Sequence, residues 1–230
     1  MTEHAKPAGS VRPGFAREDW NERYARTELL WTAEPNRLIA AEAGDLAPGR
    51  GLDLACGEGR NAVWLAEREW EVTGVDFSDV AIEKARTLAA RRGVEVDWHV
   101  ADVLRYMPVA GGFDLVVVCY LQLPADELAR ALQRAVVALA SGGTLLVLGH
   151  DATNLSNGHG GPKDPAVLFT PEQVAEALDG LEVERAERVD RVVRLHGGEA
   201  TAIDAFVRAR RPVASRQRPQ PPPGGSTPPH

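Results

Sequence analysis

Cysteine is scarce. Cys56 and Cys119 are the only two in 230 residues, too few for a disulfide framework in a chain of this length. Both sit in stretches that read as buried strand ends, and a reducing, cytoplasmic setting suits them. Long apolar runs are also missing: no segment approaches the roughly 18 residues of a membrane span. The opening residues, Met1 to Ser10, lack the apolar core of a signal peptide. The expectation is a protein with no membrane partner. Basic residues number 26 against 33 acidic ones, a net charge of −7. That is the wrong sign for a broad grip on phosphate backbones, so a nucleic-acid partner is disfavoured. No His/Cys/Asp cluster shows ligand spacing, and no metal is expected.

Proline and glycine crowd the two ends. Residues 1–14 and 212–230 carry almost nothing apolar with periodicity, and both are expected to be disordered tails around a folded unit of residues 15–211. The Pro219-x-Pro221 spacing suits partner docking, although a solvated linker is the simpler reading. Within the folded unit, short β-rich runs alternate with stretches of helical period, the pattern of an α/β fold with a mostly parallel sheet. Strands are expected at 51–55, 71–76, 94–100, 113–119 and 143–149. The apolar Phe113–Cys119 run reads as the buried centre of the sheet. Helices are expected at 61–67, at 80–92 behind a Ser78 cap, at 125–139 and near 171–178. The runs 181–195 and 201–210 flank His196-Gly197-Gly198 and read as a C-terminal antiparallel hairpin, giving seven strands in all.

Between the first strand and its helix lies Asp53-Leu-Ala-Cys-Gly57-Glu-Gly59-Arg60-Asn-Ala62, and Asp76 ends the second strand nineteen residues after Gly57. Glycines let a backbone approach a ligand without a Cβ in the way, and a carboxylate at that strand edge accepts from both hydroxyls of a ribose. The G-x-G-x-x-A pattern with its acid also fits an NAD-dependent oxidoreductase. Asp53 opposes that alternative. It lies inside the strand, where an uncompensated carboxylate is costly, and it calls for a cationic or hydrogen-bond-donating partner.

With Asp53 and the glycine turn, Gly74-Val-Asp76, Val100-Ala-Asp102, Phe113–Cys119 and Gly142–Val147 in order, the chain resembles the class I S-adenosylmethionine-dependent methyltransferases, whose fold is Rossmann-like and doubly wound. The resemblance covers nearly the whole folded unit. It implies that Asp76 holds the ribose and that Asp102 accepts from the adenine amino group, with Phe77, Val103 and Cys119 counted in the same cofactor site as Gly57 and Gly59. Cys56–Asn61, together with Trp20-Asn-Glu-Arg-Tyr24 and Trp31, is similar to the tellurite-resistance and thiopurine-methyltransferase-like branch, in which an N-terminal helix closes over the cofactor. Arg60 and Arg23 are then alternative partners for the methionyl carboxylate, or solvated arginines. Trp20, Tyr24 and Trp31 either stack beside the sulfonium or pack an amphipathic helix.

If the resemblance holds, the reaction is in-line methyl transfer to a small-molecule thiol, hydroxyl or amine. The residues after the fourth and fifth strands then matter most. His150 is the first candidate base, the alternative being a buried histidine bonded to a backbone carbonyl. Tyr120 either lines the methyl channel or packs, and Cys119 reads as a small core residue rather than a nucleophile. The glycine-rich loop 154–162 is long enough to close over a substrate, and His159 within it reads as exposed. A non-catalytic cofactor-binding protein is the remaining alternative.

Overall fold

The structure, a computed structural model, describes residues 16–195 and 197–213. The expected tail 1–14, residues 214–230 of the other tail, and His196 of the hairpin turn lie outside the described residues.

Seven strands form one sheet in the order β3-β2-β1-β4-β5-β7-β6. Strands β1 (Arg50–Leu54), β2 (Glu71–Asp76), β3 (Asp97–Val100), β4 (Phe113–Cys119) and β5 (Leu139–His150) are parallel. Strand β7 (Gly198–Arg210) pairs antiparallel with β5, and β6 (Glu182–Leu195) antiparallel with β7. Fold class and hairpin match expectation. The dinucleotide alternative gains nothing from this order, because a reversed strand sits where that fold continues in parallel.

Helices α3 (Arg60–Ala66), α4 (Asp79–Arg92), α5 (Ala125–Ala138) and α7 (Pro171–Glu176) fall where the apolar periods place them. Ser78 caps α4 by accepting from the Ala81 amide at 3.0 Å. The pleat divides the core in two. Val116, Val118, Leu145 and Val147 pack with α5 and α7, whereas Leu115, Val117, Leu146 and Leu148 pack with α3 and with α2 (Arg37–Ala43). That alternation within continuously apolar strands is what covering on both faces requires. Helix α1 (Arg17–Ala25) is the expected N-terminal helix, whereas α2 carries no signal singled out from the sequence. It is hung from the site side, since Asn61 Oδ1 accepts from the Asn36 amide at 2.9 Å and Asn36 caps α2. The loop after β5 is partly ordered by a short α6 (Asn154–Asn157) and a 3-10 turn at Pro165–Val167. No helix among the described residues is long and apolar enough to cross a membrane.

Gly59 serves packing. Its φ is +79°, and a Cβ there would lie 2.5 Å from the Trp98 ring and 2.8 Å from Ala85 Cβ. Trp98 of β3 thus reaches across β2 onto the glycine turn, where Gly74 also leaves it room. Gly59→Ala combines a left-handed φ, costing about 1–2 kcal/mol, with overpacking of about 1–3 kcal/mol. The midpoint of urea unfolding is expected to fall accordingly, with an unchanged slope.

Candidate active site

The site is built on the carboxyl ends of β1, β2, β4 and β5. Strand β1 delivers Asp53, and the chain then turns through Ala55, a non-glycine residue at φ 59°, and Gly57 at φ 54°. Asp53 is fully buried, and neither carboxylate oxygen has a hydrogen-bond partner. Burial, opposed by the Arg60 guanidinium, reinforced by the charge of Asp76 and eased slightly by the Ala62 amide, raises its pKa from 3.8 to about 7. A buried carboxylate without a hydrogen-bond partner is costly for folding.

Asp76 is buried at the end of β2. Its Oδ2 accepts from the Gly57 amide at 2.8 Å and its Oδ1 from the Ser78 amide at 2.9 Å, so the acid holds the glycine turn in place. Burial raises its pKa in spite of those amides. Each oxygen retains a lone pair for a further donor.

The N-terminal segment covers this cradle through a second carboxylate. Glu58, on the turn itself, accepts from the Leu30 and Trp31 amides at 2.9 and 3.0 Å. Lys84 of α4 pairs with Glu58 at 3.3 Å and donates to the carbonyls of Thr27, at 2.7 Å, and Tyr24. The Tyr24 phenol oxygen is so close to the turn that a Cβ on Gly57 would lie 2.9 Å from it. Beneath this cover an inner cavity of about 190 Å³ remains, lined by Tyr24, Gly57, Arg60, Cys119, Tyr120 and His150 among others. Ligand sites usually exceed roughly 300 Å³, so a nucleoside-sized ligand requires the cover to shift.

The far wall is a polar network around Asp204 of β7, which pairs in register with His150. Tyr120 donates to Asp204 Oδ2 at 2.7 Å, and Arg191 Nε donates to the same oxygen at 2.6 Å. His150 Nδ1 lies 3.3 Å from Oδ1, within ion-pair reach although not aligned as a hydrogen bond. Burial works against the Asp204 charge, but His150, Arg191 and Tyr120 outweigh it and hold the carboxyl below its ordinary range. Burial and the Asp204 charge push the Tyr120 phenol well up. Tyr120 sits at φ 57°, a strained conformation costing about 1–3 kcal/mol that brings its ring to 4.9 Å from His150.

Among the sequence candidates, Trp20, Tyr24, Trp31, Gly57, Arg60, Cys119, Tyr120 and His150 therefore line one cavity. Asp53 and Asp76 stand behind its wall, since the first perturbs Cys119 and the second Tyr24. Arg23 lines an adjoining outer cavity of about 530 Å³. Phe77, Asp102 and Val103 line neither cavity. Asp102 is exposed with one oxygen accepting from the Leu104 amide at 2.8 Å, and Val103 belongs to the core beside α5. Burial pushes the Cys119 thiol up to about 12, which leaves it inert as a nucleophile. His159 is exposed, as expected. Among the described residues no three His, Cys, Asp or Glu side chains form a cluster able to hold a metal ion. Sequence reasoning missed Glu58, Arg191 and Asp204. For Asp204 a signal existed: a carboxylate within the apolar run Ala202–Val207, the same anomaly that marked Asp53.

A raised carboxyl pKa has a definite sign for stability. The folded protein holds the Asp53 proton more tightly than the unfolded chain does, so this contribution is present below about pH 4 and is lost as the pH rises through about 7. Asp53→Asn is therefore expected to be more stable than the parent at pH 8, by about 1.4 kcal/mol for each unit of the pKa shift. The gap should close towards pH 4 in urea unfolding followed by circular dichroism.

Comparison with known proteins bears on the same segment. Residues 52–143, from β1 into β5, match the family model described as a methyltransferase domain. The chain is 31% identical over 140 residues to a 2-heptyl-1-hydroxyquinolin-4(1H)-one methyltransferase of Mycobacteroides abscessus, covering 59% of this chain and 57% of that relative. It is 39% identical over 123 residues to a demethylmenaquinone methyltransferase of Thermus thermophilus, covering 53% and 54%. The chain thus spans about half the length of these curated relatives. The fold is similar to that of the N-methyltransferase NodS from Bradyrhizobium japonicum solved with S-adenosyl-L-homocysteine, with a TM-score of 0.65 at 21% identity over 85% of this chain and 98% of that one. It is likewise similar to TehB from Haemophilus influenzae, with a TM-score of 0.65 at 17% identity over 85% of this chain and 66% of that one. The glycine turn, Asp53 and Asp76 all fall within the segment that matches the methyltransferase domain.

Proposed function

We propose that the protein is a methyltransferase that uses S-adenosylmethionine to methylate a small molecule. The observation that carries the reading is Asp53, a fully buried carboxylate without a partner at the foot of the glycine turn. An ammonium group supplies the donor it lacks, and the cofactor's methionyl end has one. The folded unit of 15–211, working in the cytoplasm, is part of the same reading. So is a place near the tellurite-resistance-like branch, supported by Tyr24 of α1 lying over Gly57.

In this reading Asp53 holds the ammonium and Arg60 the carboxylate of the methionyl moiety. Asp76 accepts from the ribose hydroxyls, Phe77 and Val103 border the adenosine, and the free oxygen of Asp102 is available to the adenine amino group. Trp20, Tyr24 and Trp31 close the site from the N-terminal side and exclude water. Bound S-adenosylmethionine supplies a methyl carbon on a cationic sulfur, so the acceptor's lone pair forms the new bond while the C–S electrons return to sulfur. The chain's work is therefore orientation in a water-poor pocket, worth several kcal/mol of barrier. For a hydroxyl, thiol or ammonium acceptor a proton must also leave. Asp204 beside Nδ1 favours the proton on that nitrogen, which leaves Nε2 of His150 as the base. Tyr120 and Arg191 fix Asp204 and so hold the imidazole in place.

Titration calorimetry with S-adenosylhomocysteine tests the assignment. Micromolar binding is expected, weakened at least tenfold by Asp53→Asn and by Asp76→Ala and within twofold of the parent in His150→Ala. Absence of binding to the folded parent protein would overturn the reading.

A further inference from the structure

The outer cavity has a chemical character of its own. It lies between α1, the loop 159–164 and the overhanging end of the β6–β7 hairpin, and it shares Trp20, Trp31, Gln122, His150 and Arg191 with the inner one. Five basic side chains, Arg23, His150, His159, Lys163 and Arg191, line it against one carboxylate, Asp164. This concentration stands out on a chain whose net charge is −7. Arg191 is balanced by Asp204 behind the wall, and the Arg23 guanidinium stacks 4.7 Å from the Trp20 ring centroid. Lys163 is exposed and makes no ion pair or hydrogen bond among the described residues. Gly160 and Gly161, at φ +74° and +72°, carry the loop past His150 so closely that a Cβ on Gly161 would lie 3.0 Å from the imidazole. The loop that bears Lys163 is thereby fixed against the residue named above as the base.

Resting on the methyltransferase reading, we propose that this cavity binds the methyl acceptor and that the acceptor is a small organic acid with an aromatic or other planar body, anchored through its carboxylate by Lys163. The balance of charges in the wall suits a single negative charge. Half-exposed Trp31, at 45%, and Trp20 offer flat apolar faces to the body of the molecule. The nucleophile is then presented to His150, where the two cavities meet. A volume of about 530 Å³ accommodates a molecule of this size.

The test uses the full chain saturated with S-adenosylhomocysteine, whose binding is first established in the same calorimeter. Three matched pairs are then titrated: 4-hydroxybenzoate and 4-hydroxybenzamide, indole-3-acetate and indole-3-acetamide, cinnamate and cinnamamide. At least one acid is expected to bind ten times more tightly than its amide. Lys163→Met is expected to reduce that preference at least fivefold, with S-adenosylhomocysteine affinity unchanged. If S-adenosylhomocysteine binds but no acid exceeds its amide, or the preference survives in Lys163→Met, the anion-binding proposal is overturned while the cofactor assignment stands. If S-adenosylhomocysteine itself does not bind, the underlying reading fails first.

Discussion

Burying the Asp53 carboxylate without a partner is the constraint around which the site is arranged. It lies in β1 between Gly74 of β2 and Val117 of β4, where water cannot reach it. The fold gains nothing from it: a charge there is expensive, and a protonated carboxyl still lacks its hydrogen bonds. The Arg60 guanidinium opposes the effect of burial without cancelling it. The turn that follows carries a further cost in Ala55, a non-glycine residue at φ 59°. Asp76 then ties the turn, through the Gly57 amide, to the start of α4, through the Ser78 amide, and Glu58 ties the N-terminal segment down over it.

A second buried acid organises the opposite wall, and here every oxygen is in use. Asp204 collects His150 from the end of β5, Tyr120 from just after β4 and Arg191 from within β6. Only the antiparallel insertion of β7 beside β5 makes this possible, since it brings residue 204 level with residue 150. The hairpin beyond that point overhangs the parallel strands and supplies Arg191 and Val193 to the outer cavity. Asp53 is left without a hydrogen-bond partner whereas Asp204 is fully engaged, and the inner cavity lies between them.

The periodic parts of this architecture were legible in the sequence. Continuous apolar runs gave β4 and most of β5, helical periods gave α4 and α5, and the Ser78 cap fell where its side chain bonds the Ala81 amide. Asp53 stood out because a carboxylate in an apolar run contradicts its surroundings, and Asp204 was open to the same argument. Long-range partners were harder to read. Gly59 looked like ligand-binding glycine, yet Trp98, thirty-nine positions later, explains its missing Cβ. Helix α2 depends on Asn61 for its anchoring rather than on local pattern. Glu58 resembled any surface acid until the fold placed the Leu30 and Trp31 amides against it.

If the Asp53 carboxylate is there to receive the cofactor's ammonium group, binding must take a proton from it near neutral pH, because the empty site holds that proton up to about pH 7. The most direct measurement is S-adenosylhomocysteine calorimetry at pH 7 in two buffers of different ionisation enthalpy, for the parent protein and Asp53→Asn. The account predicts release of a fraction of a proton by the parent and none by Asp53→Asn; tight binding with no proton release, or the same release in both proteins, would contradict it.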